Sequence, residues 1–160
     1  MEVEWLYVDI NNKKIRINKN DSMDIYSWRD YVKKPYWYKL KLSDTLGYYR
    51  VCVNYKNYRL NRLVYKAHNK DWDITDVSKN NFIDHINRNK IDNRIENLRI
   101  LTNQQNQFNA NIKGYSWCKH KKRWRACIRI DDNQIHLGYF KKEEDAREAY
   151  LKGKEVYHKI

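Results

Sequence analysis

Phe82-Ile83-Asp84-His85-Ile86-Asn87-Arg88-Asn89-Lys90 opens the stretch whose reading decides the fold, which continues through Ile91–Arg94 and Glu96-Asn97-Leu98-Arg99 to Asn106. A short apolar run delivers an acid and an imidazole side by side. On a regular strand Asp84 and His85 would face opposite ways, so they serve one site only if the strand breaks at that pair. The amide-rich loop after His85 supplies such a break. A second apolar run, Leu98–Leu101, leads to Thr102, which with Gln105 three residues on forms a capping box and predicts a helix start. Asn106 then falls at the fourth helical position. The order is strand, loop, strand, helix, with Asp84 and Asn106 expected to face each other across a small gap.

An oxygen pair of this kind suits a hard cation, because Mg²⁺ is held by one or two protein oxygens plus waters and phosphate oxygens. A neutral histidine beside it can take a proton from an attacking water, and the ion can polarise the phosphate and stabilise the leaving oxygen. An Asp-His pair alone carries little weight, and asparagines are abundant throughout the chain. The combined spacing is what carries the argument. Asp84-His85, the loop, Asn97-Leu98-Arg99 and Asn106 resemble the HNH endonuclease motif in its His-Asn-Asn form. The resemblance implies a ββα-metal core around one Mg²⁺ (or Mn²⁺). It makes Asp84 and Asn106 the metal ligands, His85 the general base, and Asn97 the residue that orients the imidazole. It also implies hydrolysis of DNA phosphodiesters to a 3′-hydroxyl and a 5′-phosphate. Asparagine as the last ligand, in place of the commoner histidine, is the form found in phage intron-type homing nucleases. Arg88, Lys90, Arg94 and Arg99 are candidates to contact phosphates, and Arg99 alternatively braces the motif.

A chain of 160 residues fits one or two small domains. Its net charge of +13 and pI of about 9.6 favour a polyanion, with double-stranded DNA the expected partner. No run is long enough to span a membrane and no amphipathic basic helix is evident. The N-terminus shows no signal-peptide pattern, so the expected location is intracellular. Cys52, Cys118 and Cys127 form no Cys-x-x-Cys pair, so no structural zinc and no disulfide is expected.

In chain order, Trp5–Val8 and Lys14–Ile17 read as strands around an Asn11-Asn12 turn. Trp28, Trp37 and several tyrosines suggest an aromatic packing layer. The alternative for this region is phosphate contact by Lys33, Lys34 and Lys39. Gly47–Tyr55 alternates as a strand, Lys56-Asn57 reads as its turn, and Asn61–His68 follows helical spacing. The stretch from Leu46 to His68 resembles what precedes the motif in intron-type homing endonucleases, with Asn61 where that family usually has histidine; Asn61 therefore receives no catalytic role. Residues 69–81, with Asp71, Asp73 and Asp76, read as a solvated loop, the alternative being metal ligation. Phe108 and Ile112 are the expected buried contacts of the helix after Thr102. Lys113-Gly114 reads as a linker.

Beyond it, Arg123–Ile130 alternates strictly: Trp124, Ala126, Ile128 and Ile130 on one face, Arg123, Arg125, Cys127 and Arg129 on the other. Asp132-Asn133 signals a hairpin. Ile135, Leu137 and Tyr139 continue the buried face, leaving Gln134, His136 and Gly138 on the basic one. Tyr115 and Trp117 fit a preceding strand. A helix over Glu143–Tyr157 carries Ala146, Ala149, Tyr150, Gly153 and Val156 on one stripe. From Lys119 to Arg129 there are six Lys or Arg and no acid, more than a solvated face needs. The residues Lys113-Gly114, Trp124-Arg125-Ala126, Ile128-Arg129 and Leu137-Gly138-Tyr139-Phe140 resemble the Apetala/ethylene-response-factor DNA-binding domain. That resemblance implies a three-stranded sheet in the major groove, with contact positions here at Lys113, Ser116, Cys118, Cys127, Arg129, Gln134 and His136. Arg123 and Arg125 lie on the same face.

The fold expected is α+β: a β-rich extension over 1–45, a ββα-metal nuclease domain over 46–112, and a three-stranded antiparallel sheet packed on one helix over 113–160. The function expected is a site-specific, metal-dependent DNA endonuclease of homing type, nicking one strand as a monomer and cutting both as a homodimer. The rivals are a DNA-binding regulator with a silent motif, and a structural RNA-binding protein, which explains the charge but not the Asp84, His85 and Asn106 spacing.

Overall fold

Paired residues at positive φ close the hairpins in the first half of the chain. Asn11 and Asn12 (φ 50° and 59°) join β1 (Trp5–Ile10) to β2 (Lys13–Asn18). Leu46 and Gly47 (55° and 78°) join β5 (Leu42–Thr45) to β6 (Tyr48–Val53), and Asn54 and Tyr55 (47° and 63°) join β6 to β7 (Lys56–Arg59). Two successive left-handed residues give the turn whose twist matches the paired strands. The turn expected at Lys56-Asn57 therefore lies two residues earlier, and Lys56 and Asn57 pair with Val53 and Cys52 inside the sheet. Asn54 tolerates the left-handed conformation that such a turn requires, whereas a lysine there would be strained.

This computed structural model describes residues 2–78, 80–109, 112–130 and 133–158. The chain is α+β, its paired strands forming mostly antiparallel sheets, and it divides into two compact units, residues 1–100 and 101–160.

In the first unit β1 and β2 are followed by β3 (Ile25–Arg29) and β4 (Tyr36–Lys39), forming an antiparallel meander. A second antiparallel sheet holds β5, β6 and β7. The helix α1 (Leu60–His68) starts directly after β7. Its Leu60, Leu63, Val64 and Ala67 are buried with Ile15, Ile17, Ile25, Val51 and Val53 in one core. The 3.6-residue spacing of its apolar side chains selects that face. A two-stranded ribbon, β8 (Phe82–His85) and β9 (Leu98–Leu101), completes the motif, with a 3₁₀ turn at Ile95–Asn97 just before β9.

The segment between α1 and β8 is a loop with Asp71, Asp73, Thr75, Val77 and Ser78 exposed, as expected, and it is also tied to the helix. Arg62 donates to the carbonyls of Ile74 (2.7 Å), Asp76 (3.1 Å) and Asn81 (3.0 Å). Asn81 donates to the carbonyls of Asp73 and Asp76, and its Oδ1 accepts from Trp72 Nε1. Lys66 holds the Trp72 carbonyl at 2.7 Å. One guanidinium thus satisfies the inward-turned backbone, the accounting every buried carbonyl needs. Asp73 and Asp76 bond to Thr75 and Ser78 within the loop.

In the second unit α2 (Asn103–Asn109) begins as its capping box predicts. Thr102 N donates to Gln105 Oε1 (3.0 Å), and Gln105 N donates to Thr102 Oγ1 (3.1 Å). Phe108 is buried and stacks on His158, with ring centres 3.9 Å apart. Ile112, expected to be buried, is 55% exposed. The strands β10 (Tyr115–Cys118), β11 (Arg123–Ile130) and β12 (Asn133–Phe140) form an antiparallel sheet in that order, packed on α3 (Glu143–Tyr157). The Asp132 half of the expected hairpin turn lies outside the described residues.

A bulge corrects the facing of β12. Ala126 pairs with Gly138 and Cys127 with His136, so Leu137 is an extra residue. Beyond it the alternation slips by one. Phe140 packs in the core with Trp124, and Tyr139 pairs with Arg125 on the basic face instead of being buried. Gly114 is likewise packed, not a free linker. Its carbonyl accepts from Cys127 N (2.9 Å), and a Cβ there would meet the Tyr150 ring at 1.9 Å. Val156, on the expected stripe, is 61% exposed, while Ala146, Tyr150 and Gly153 are buried.

Candidate active site and nucleic-acid interface

Asp84 and His85 are the last two residues of β8, so the strand does not break between them: Asp84 is partly exposed and the imidazole is buried. His85 Nε2 lies 3.1 Å from Asn93 Oδ1. Asn93 Nδ2 donates to the Ile91 carbonyl at 3.2 Å, and a carbonyl can only accept, so the amide cannot be flipped. Nε2 is therefore the nitrogen that donates, and Asn93 orients the ring through it. The Tyr48 ring lies 5.9 Å from the imidazole, with Arg59 and Lys90 over that tyrosine at 4.5 and 4.8 Å.

Asn97 is buried and braces the loop. Its Nδ2 donates to the Asp92 carbonyl (2.8 Å), its Oδ1 accepts from Asn87 N (2.9 Å), and its carbonyl accepts from Ile86 N (2.9 Å). Asp92 is the second hub. It accepts from Arg94 Nε and Nη2 and from Asn87 Nδ2, each at 2.8 Å. Arg94, then Asn87, hold its carboxyl well below the usual carboxylate range. Arg88 sits in the loop at φ 63°, its amide bonded to the His85 carbonyl. Lys90 reaches the Leu46 carbonyl at 3.3 Å. Arg99 Nε donates to Asp84 Oδ2 at 3.1 Å, so Arg99 braces the acid.

Asp84, His85, Asn97 and Arg99 are thus brought together in the first unit, with Arg88, Lys90 and Arg94 in the same loop. Asn106 belongs to the second unit. It sits in the first turn of α2, partly exposed, with its amide bonded to the Thr102 carbonyl. Sequence reasoning passed over Asn93 and Tyr48. Asn93 is one asparagine among many, and only its place between the loop acid and Arg94 could have marked it.

Among the described residues, no group of three or more His, Cys, Asp or Glu could hold a metal ion. The Asp84 carboxylate and an asparagine oxygen are hard donors of the type Mg²⁺ takes.

The basic face of the second unit gathers the other candidates. Ser116, Arg125 and Tyr139 make one row across β10, β11 and β12. Cys118 pairs with Arg123, Cys127 with His136, and Arg129 with Gln134. Ser116, Arg129, Gln134 and His136 are exposed, whereas Cys127 is buried. Lys113 is held by Glu143 at 2.6 Å and lies over the Tyr115 and Trp124 rings.

Comparison with known proteins adds two findings. Residues 58–108 match the family described as HNH endonuclease. The chain is similar to "Protein 3.8" of Escherichia phage T7, with 29% identity over 83 residues, covering 44% of this chain and 69% of that relative. No solved structure matches. No helix among the described residues is long and apolar enough to cross a membrane.

Proposed function

We propose, from the HNH endonuclease domain that residues 58–108 carry, that this chain is a metal-dependent, site-specific endonuclease of homing type hydrolysing phosphodiester bonds of double-stranded DNA. The observation that carries the reading is the buried imidazole of His85, next in sequence to Asp84 and held by Asn93 through Nε2. A general base needs a ring held in place in this way.

In this reading Asp84 and, by the motif's resemblance, Asn106 would hold one Mg²⁺ or Mn²⁺. The ion when bound would neutralise charge on the phosphate and its leaving oxygen. His85 takes the proton of the attacking water, and Asn93 stabilises the imidazolium through Nε2–H. Asn97 acts on the ring indirectly, by holding the loop that carries Asn93. Arg99 holds Asp84 Oδ2 and would share that carboxylate with the metal. Arg88 and Lys90 are the loop cations offered to phosphates; Arg94 is committed to Asp92 and contributes through loop order. The division proposed is 1–45 extension, 46–112 nuclease, and 113–160 a DNA-binding sheet of the Apetala/ethylene-response-factor type. In that sheet Arg123, Arg125 and Arg129 with Gln134, His136 and Ser116 face the major groove.

The Arg99–Asp84 ion pair favours one second reading, a DNA-binding regulator whose acid is permanently neutralised. Incubation of supercoiled plasmid with Mg²⁺, with and without chelator, separates the two. Nicked product with 3′-hydroxyl and 5′-phosphate ends, lost in chelator, is expected of the nuclease. No cleavage by pure protein under any divalent metal would establish the regulator.

A further inference from the structure

The outer face of the β1–β4 meander is built unlike a structural surface. Leu6, Val8, Ile10, Ile15, Ile17 and Ile25 turn inward to the core, so alternation sends Trp5, Tyr7 and Asp9 of β1 and Lys14 and Arg16 of β2 outward. Cross-strand pairing then sets Tyr7 opposite Arg16, Arg16 opposite Tyr26, and Tyr26 opposite Lys39, a row alternating aromatic and cationic groups. In the neighbouring row Asp9 pairs with Lys14, and Trp28 with Trp37. The Arg16 guanidinium lies 4.3 Å from Trp5, 4.9 Å from Tyr26 and 4.7 Å from Trp37.

Packing among these residues does not close the face. Trp28 and Trp37 are tilted by 59° with centres 5.2 Å apart, and Tyr7 and Trp37 by 55° at 6.0 Å, so neither pair uses up its faces in parallel stacking. A trough of about 500 Å³ on this face is lined by Tyr7, Asp9, Lys14, Trp28 and Trp37 together with Val8 and Ile15. Tyr7 is 56% exposed. A planar guest can slide against the indoles, the Asp9 carboxylate can accept from its amino group, and Lys14 can meet an attached phosphate. Free cations, the other usual guests of aromatic walls, are disfavoured by Arg16, Lys14 and Lys39 around the site. Planar rings strung on a polyanion are what remains, and base–aromatic stacking beside basic side chains is how single strands are bound.

We propose that this face is a stacking platform for unpaired bases of single-stranded DNA, a binding surface in addition to the duplex-binding sheet. The choice of DNA over RNA rests on the nuclease reading. Binding in chelator, without cleavage, makes failure of the platform distinguishable from failure of that reading.

The test is fluorescence anisotropy of the full chain in chelator, with one labelled sequence presented as single-stranded DNA, duplex DNA and single-stranded RNA. Tyr7→Ser and Lys14→Glu change exposed side chains, and circular dichroism verifies their folding. Each is expected to weaken single-stranded DNA binding by about tenfold while duplex affinity stays put. Single-stranded DNA is also expected to quench the tryptophan fluorescence of the wild type. Unchanged affinity in both folded variants would overturn the proposal. So would equal losses on duplex DNA, or tighter binding to RNA.

Discussion

His85 and Asp84 draw their chemistry from neighbours that sit several residues away. Asn93 holds the imidazole through Nε2, so Asn93→Ala is expected to lower the single-turnover cleavage rate by about tenfold and to change its pH profile, while leaving DNA binding intact. A rate unchanged at every pH would remove Asn93 from the site. Asp92, which Arg94 and Asn87 hold ionised, gives a pH dependence with a definite sign. Its folded value is depressed, so its contribution to loop order is complete above the ordinary value of 3.8 and fades as pH falls below it toward the folded value. The protection factors of the Asn87 and Asn97 amides, exchange rates corrected for intrinsic pH dependence, should therefore fall only in strong acid; a fall already near neutral pH would contradict this. The Asp84-His85 pair and the Thr102 cap were legible because their spacing is informative. Asn93 was not, since its role depends on a buried contact made across the loop rather than on any local pattern.

Elements were legible where periodicity was unbroken, as in α1, α3 and β11. They were misread where one residue changes parity. The bulge at Leu137 moves Tyr139 onto the basic face, and no alternation rule signals an inserted residue. Gly138 at φ 141°, where a Cβ would meet Phe140 at 2.9 Å, is the trace it leaves in sequence. Gly138→Val is accordingly expected to destabilise the second unit by about 1–3 kcal/mol, read as a lower urea midpoint. The anchoring of the loop 69–81 was not legible for a different reason: its inward carbonyls are satisfied by Arg62, a residue on another element. Arg62→Lys keeps the charge but loses the fork that reaches three carbonyls, and should cost about 2 kcal/mol. An unchanged midpoint would show that the loop holds itself together.

At the scale of the molecule, a charge of +13 predicts that DNA affinity falls steeply with salt, each lost phosphate contact lowering the slope by about one. Arg129→Ala is expected to weaken a specific site more than random DNA, and equal losses would reduce Arg129 to a phosphate anchor. All of this is subordinate to whether His85 performs hydrolysis. The most direct measurement is the single-turnover nicking rate of wild type and His85→Ala on the same plasmid with saturating Mg²⁺. The variant should be slower by about 10²–10⁴-fold at equal DNA affinity, and cleavage by His85→Ala at the wild-type rate would contradict the account.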